Sequence, residues 1–140
     1  MNLIIEKDCQ NIDWEELAEV IEVAGLSPHP AEKFQIAFKN SFAVVFLRDG
    51  QRLIGCGRAL SDAAFQSALY DIALLPEYQG NGLGKLLLEE ISKQLPESNV
   101  ILYASPGKEA FYERFGFARL KTGMGKFLNP ERMREKAMLE

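Results

Sequence analysis

Residues 67–95 read SALYDIALL, then PEYQGNGLGK, then LLLEEISKQL: an apolar run ending at Pro76, three glycines at 80, 82 and 84, and an apolar repeat at helical spacing. A strand, a glycine-rich turn and a helix in direct succession restrict the chain to folds that lay helices on a sheet. They also set a chemical constraint, because glycine loses more backbone freedom on folding than any other residue. One glycine would serve a tight strand-to-helix turn. Three leave bare N–H groups at a helix N-terminus, where the macrodipole adds about half a positive charge, and the obvious occupant is pyrophosphate.

A chain of 140 residues is the size of one domain and needs no disulfide staples. Cys9 and Cys56 stand far apart, in neither a C-x-x-C nor a Cys/His array. That pattern argues for a reduced compartment and against a structural zinc site, and no metal is expected. The N-terminus, MNLIIEKDCQNIDWEEL, becomes acidic by position 6 and contains no long apolar stretch, so neither a signal peptide nor a membrane span is expected and the reading is cytoplasmic. A formal net charge of −4 gives no general pull toward nucleic acid. It suits a cationic partner or plain solubility.

Neither an internal repeat nor a linker divides the chain. NLIIEK reads as a short strand, and a helix runs from an Asp13 cap to Gly25 with Trp14, Leu17, Val20, Ile21 and Ala24 in register. After LSPHP, AEKFQIAFKN reads as a second helix using Phe34, Ala37 and Phe38. SFAVVFLRDG and QRLIGCGRAL form a hairpin across Asp49-Gly50. The strand ending at Pro76 comes next, then a helix from Gly82 to Leu95 with a stripe of Leu83, Leu86, Leu87, Glu90, Ile91 and Leu95. NVILYA is the next strand, Ser105-Pro106 fits an N-cap and first helical position, and KEAFYERF is a helix closed by Gly116. FARLKTGMGKFL reads as a last pair of strands or one bent strand, and residues 129–140 as a tail, either a frayed helix or a partner-binding one. The expectation is an α+β fold over 1–140 as a single domain, with a mixed, mostly antiparallel central sheet flanked by helices.

Two familiar phosphate motifs fail on the letters. A P-loop requires glycine where Gln79 stands and a hydroxyl where Leu86 stands, and a dinucleotide fingerprint requires G-x-G-x-x-G where the chain has G-x-G-x-G. What remains is Gln79-x-x-Gly82-x-Gly84 after a strand ending Leu74-Leu75-Pro76. This resembles the Q/R-x-x-G-x-G/A loop of the GNAT acetyltransferase superfamily. About thirty residues on, FYERFGF, Phe111 to Phe117, resembles that family's second signature, with Tyr112 at its tyrosine. The resemblance runs from about Arg52 to Phe127.

The resemblance implies acetyl-CoA as co-substrate and an amine as acceptor. It places the pyrophosphate against Gln79, Gly80, Asn81, Gly82, Leu83, Gly84 and Lys85, and the pantetheine and thioester against Ile72, Ala73 and Leu74 of a strand that splays from its neighbour. A bulge in that strand would supply an oxyanion donor. Tyr112 is implied as the acid that protonates the leaving thiolate, the alternative being a core aromatic beside Phe111 and Phe115. Asp71 is a candidate base; it equally suits a turn cap or an ion pair with Arg58. His29 and Tyr70 are further candidates. Ser105 occupies a position where the family often has a coenzyme-contacting asparagine, and could keep that hydrogen bond or cap the helix. Arg48, Arg58 and Lys108 are left between a phosphate contact and solvated charge. The C-terminal run FYERFGFARLKTGMGKF resembles small members acting on arylalkylamines or polyamines. A protein N-acetyltransferase and a non-catalytic acyl-CoA-binding or partner-binding domain are the alternatives, with a monomer or homodimer as the assembly.

Overall fold

The computed structural model describes all 140 residues. Strands form at β1 (Leu3–Glu6), β2 (Ala43–Asp49), β3 (Arg52–Ser61), β4 (Gln66–Leu74) and β5 (Asn99–Ile101). Helices form at α1 (Trp14–Val23), α2 (Ala31–Lys39), α3 (Leu83–Ser92), α4 (Glu109–Glu113) and α5 (Pro130–Glu135), with a single 3-10 turn at Pro76–Tyr78. The sheet order is β1-β2-β3-β4-β5. The first three pairings are antiparallel and β4–β5 is parallel, the crossover between them being α3. The expected α+β class and mixed, mostly antiparallel sheet are therefore observed. The chain divides into two compact units, Met1–Leu102 and Tyr103–Glu140.

In the first unit the sheet is covered on both faces, which is why β2 is buried from Ala43 to Arg48 without alternation. Phe46 points to one face, packing against Phe38 of α2 (5.5 Å between ring centres) and Trp14 of α1 (6.4 Å). Its neighbour Val45 points to the other, toward α3, whose Leu83, Leu87, Leu88 and Ile91 are buried. The buried stripe thus runs through Leu88 rather than Leu86, which is half-buried. Asp13 caps α1 by accepting N–H bonds from Glu15 and Glu16, and Gly25 closes it at φ 92°. Burying these side chains is worth roughly 1.5–3 kcal/mol each before chain entropy is charged against it.

Two charged groups are built into this frame. Arg48, 9% exposed, donates Nε to Glu6, Nη1 to the Gln51 carbonyl (3.1 Å) and Nη2 to the Asn11 carbonyl (2.7 Å), so it clamps β1 and the chain before α1 to the hairpin. It is a structural cation, neither solvated nor free for a phosphate. Glu90, 7% exposed on α3, pairs with Lys7 (2.6 Å) and Lys93 (3.0 Å).

The second unit departs from the sequence expectations. Ser105 and Pro106 do not start a helix. The Ser105 carbonyl accepts the Lys108 N–H at 2.9 Å across a turn whose third residue, Gly107, has φ 90°. That left-handed residue interrupts a right-handed helix, and α4 begins only at Glu109, with Lys108 in the cap position. Ser105 as helix cap is therefore overturned. Residues 117–128 form no strand. Gly123 and Gly125 weaken any extended run there, and Leu120, Met124 and Leu128 are exposed, so the segment has no buried alternating face to hold it. The tail is helical only over α5, capped by Asn129 accepting from the Arg132 N–H at 3.1 Å.

The Lys7 and Lys93 ammonium groups hold the Glu90 carboxyl below its ordinary value of 4.5. A depressed carboxylate contributes stability above its unfolded pKa and loses it as pH falls through the folded one. Glu90→Gln should therefore lower the urea midpoint at neutral pH while shrinking the further fall between neutral pH and about pH 3. Parallel pH curves for the two proteins would contradict this.

Candidate functional site

The site is built on β4. Pairing with β3 runs Cys56 to Ala73 and then Arg58 to Tyr70, so Asp71 and Ile72 stand opposite the single residue Gly57. This is a β-bulge. Asp71 carries it at φ 54°, a left-handed conformation that a side chain adopts only when its surroundings hold it there. Arg58 Nε donates to Asp71 Oδ2 at 2.7 Å, and Cys56 Sγ donates to the Asp71 carbonyl at 3.6 Å. Burial pushes the Cys56 thiol far up, which keeps its proton in place. Arg58 lies 5.1 Å from the Tyr70 ring centre and 5.8 Å from that of Phe38. Of the sequence alternatives for Asp71, the ion pair is present, and a proton taken by Asp71 goes to Oδ1 or displaces Arg58.

Gly57 fits this place because a Cβ there would lie 2.7 Å from Ile91 Cδ1 and 2.8 Å from Ile72 Cδ1. Reading β4 alone misses Cys56 and Gly57. The two glycines inside β3, Gly55 and Gly57, are the signal that marks them, since glycine in a strand interior often accompanies a bulge or close approach.

Three residues before the bulge β4 loses its other neighbour. β5 pairs with Gln66, Ser67 and Ala68 and goes no further, so from Leu69 to Leu74 that edge has no strand beside it. Ile72, Ala73 and Leu74 all lie in the unzipped stretch. The Leu74 carbonyl is taken by Gln79 Nε2 at 2.9 Å, and the Gln79 N–H bonds the Pro76 carbonyl at 3.1 Å. Gln79 is thus engaged within the chain through both groups and fixes the loop's entry.

Gly80 and Gly82 have φ 84° and 81°, and a Cβ on either would meet nothing within 4 Å. Gly84 is different, lying inside α3. The first helical bond is donated by Leu86 to the Gly82 carbonyl at 3.1 Å, which leaves the N–H groups of Leu83, Gly84 and Lys85 ahead of it. Gly82, as N-cap, has no side chain to accept them, and the first turn contains no acidic residue. Buried Leu83 anchors the turn, while Asn81 and Lys85 are exposed. Open space, successive bare donors, a dipole's positive end and an exposed lysine suit a diphosphate.

The remaining predicted residues belong to other elements. Tyr112, in the second unit, is half-buried on α4, its ring edge-on to Phe111 (5.1 Å) and Phe117 (5.8 Å). Burial raises its phenol above the ordinary 10.0, so the hydroxyl is a neutral donor throughout the neutral range. His29 packs edge-on against Phe34 at 5.6 Å and, with Glu15, Glu19 and Glu22 of α1, lines a cavity of about 620 Å³.

Comparison with known proteins gives a consistent result. The family model described as Acetyltransferase (GNAT) domain matches residues 10–127. An uncharacterized N-acetyltransferase ycf52 of Porphyra purpurea is 33% identical over 129 residues, covering 86% of this chain and 74% of that protein. Histone acetyltransferase TAP1 of Glycine max is 33% identical over 76% of this chain and 52% of its own length, and the chloroplastic serotonin N-acetyltransferase 2 of Oryza sativa subsp. japonica 30% over 81% and 60%. A crystal structure of a probable acetyltransferase from meticillin-resistant Staphylococcus aureus matches with TM-score 0.78 at 28% identity, covering 89% of this chain and 98% of that one.

The contrast between the glycines is testable without a ligand. Gly82→Ala forces a side chain into left-handed backbone and should destabilise by about 1–2 kcal/mol. Gly84→Ala improves helix propensity and should stabilise by about 0.5–1 kcal/mol. Urea midpoints moving in the same direction would contradict the assignment.

Proposed function

This chain belongs to the GNAT acetyltransferase family, and on that premise we propose that it transfers an acetyl group from acetyl-CoA to a primary amine of a small molecule, of arylalkylamine or polyamine type. The observation that carries the coenzyme assignment is the unzipped edge of β4 running into a loop with two left-handed glycines and free α3 donors. The family match spans residues of both compact units, which supports their acting as one transferase domain.

In this reading the N–H groups of Leu83, Gly84 and Lys85 hold the diphosphate, with Gly80, Asn81 and Gly82 giving it backbone without steric bulk. Ile72, Ala73 and Leu74 orient the pantetheine along the open edge, and a bulge N–H faces the thioester carbonyl, a donor of a kind typically worth ~2.7–4 kcal/mol. The coenzyme supplies an activated thioester. The acceptor nitrogen forms a bond to the acetyl carbon and the carbon–sulfur bond breaks. The amine's proton leaves to a base, for which Asp71 of β4 is the candidate, and the thiolate takes a proton from the Tyr112 hydroxyl. Neutral tyrosine is the correct state for that step, and burial favours it. Ser105 stays a candidate coenzyme contact, its side chain released from capping duty.

A cationic acceptor is supported by the carboxylates of Glu15, Glu19 and Glu22 around the cavity beside His29 and by the name of the rice relative. The name of the soybean relative supports a second reading, a protein lysine as acceptor.

Thiol release from acetyl-CoA across a panel of amines, polyamines, aminoglycosides and histone-tail peptides decides between them. Release with small amines alone is expected; release with peptides alone overturns the small-molecule assignment, and no release with any acceptor overturns the transferase reading for this panel's classes. Tyr112→Phe should lower kcat by about 10²–10⁴-fold while the KM for acetyl-CoA stays close to wild type. Because the phenol is raised, an alkaline limb that depends on Tyr112 should have its midpoint above pH 10.0. Full activity in the variant would make Tyr112 a packing residue.

A further inference from the structure

Three consecutive side chains ahead of the glycine loop are each tied to a different part of the sheet. Arg52 Nη2 donates to Glu77 Oε1 at 2.6 Å, the Tyr78 hydroxyl donates to Asp49 Oδ2 at 2.7 Å, and Gln79 Nε2 donates to the Leu74 carbonyl. Asp49 and Arg52 are the two ends of the β2–β3 turn. The other oxygen of Asp49 accepts the Asn2 N–H at 2.9 Å, and the Gly50 N–H reaches the Asn2 carbonyl at 2.7 Å, so the Tyr78 bond runs through the hairpin into the start of β1. The Arg52 guanidinium stands 5.7 Å from the Tyr78 ring centre, which joins both links into one cluster.

Immediately after this cluster the chain enters the least restrained backbone of the site. Gly80 and Gly82 have no side chains to fix them, and no neighbouring atom lies where a Cβ would be. A glycine loop left to itself samples many conformations, and ordering it at the moment of binding subtracts from affinity. Anchoring the residues just before it, on a hairpin held by antiparallel pairing, removes part of that loss.

We propose that the Tyr78–Asp49 and Arg52–Glu77 links form a brace that holds the glycine loop in its anion-binding conformation before the coenzyme arrives, making these four residues positioning residues for the acetyl-CoA diphosphate. The inference rests on the acetyl-CoA reading above, but the brace itself is a property of the unliganded chain. For the Tyr78–Asp49 link the two ends act as one unit, so once Asp49 is changed, removing the Tyr78 hydroxyl as well has no further consequence for the loop.

The test combines two measurements on wild type, Tyr78→Phe, Asp49→Asn and the double variant. Calorimetric Kd for coenzyme A and the KM for acetyl-CoA should each rise about five- to tenfold in either single variant, with kcat within about twofold of wild type. The double variant should be no worse than the singles. Amide hydrogen exchange of Tyr78, Gln79 and Leu86, the loop-flanking amides bonded to the Leu75, Pro76 and Gly82 carbonyls, should accelerate by a similar factor in the unliganded chain, while β2 stays as protected as in wild type. Arg52→Gln, at an exposed position, should reproduce the effect and Arg52→Lys should recover most of it; these variants carry the same test if Tyr78→Phe does not fold. Unchanged loop exchange overturns the brace whatever the coenzyme does, as does a loss of protection spread equally over β2. Accelerated loop exchange in a chain whose wild type does not bind coenzyme A would uphold the brace and remove the acetyl-CoA reading.

Discussion

A peptide N–H or C=O withdrawn from water needs a partner, and in this chain one strand leaves that requirement open. β4 is paired on both sides over Gln66–Ala68 and on only one side from Leu69 onward. The bulge at Asp71–Ile72 sits at the beginning of this open stretch, and the glycine loop and the α3 N-terminus lie at its end. A strand edge with no strand beside it, a glycine loop and the first turn of a helix thereby follow one another along the chain. In the proposed function, this path is where the long amide-rich arm and the diphosphate of the coenzyme lie.

Everything around β4 is arranged to hold still. Phe46, Phe38 and Trp14 pack one face of the sheet, Leu87 and Ile91 the other, and Arg48 ties β1 and the chain before α1 to the hairpin. The bulge is held by two groups from β3, the Arg58 guanidinium and the Cys56 thiol, both reaching Asp71. A positive φ at a non-glycine residue is a local cost of order 1–3 kcal/mol. It is sustained because the buried partner strand leaves Asp71 few alternatives.

Much of this was legible in the letters, in particular places. Asp13, Gly25, Asp49-Gly50, Pro76 and Gly116 mark element ends because each acts locally: a cap, a left-handed closure, a turn or a missing N–H. Gly80 and Gly82 were legible for the same reason, their need for positive φ being a property of the backbone itself. Ser105-Pro106 misleads because a serine–proline pair serves a helix start and a turn equally well, and Gly107, at φ 90°, decides for the turn. The run 117–128 misleads because strand propensity has force only where a neighbour supplies hydrogen bonds and a face to bury.

The sequence by itself determined the α+β class, most element boundaries, and the strand–glycine loop–helix junction on which the proposed anion site rests, since these come from periodicity and from the conformational limits of single residues. Only the tertiary structure decided that Asp71 is locked to Arg58, that Gly57 makes room for the bulge, that β5 stops after three residues, and that Tyr78 and Glu77 are tethered to the hairpin. Each of these depends on which residues of distant segments end up opposite one another. Register and side-chain geometry across a sheet set that, and no local pattern encodes it.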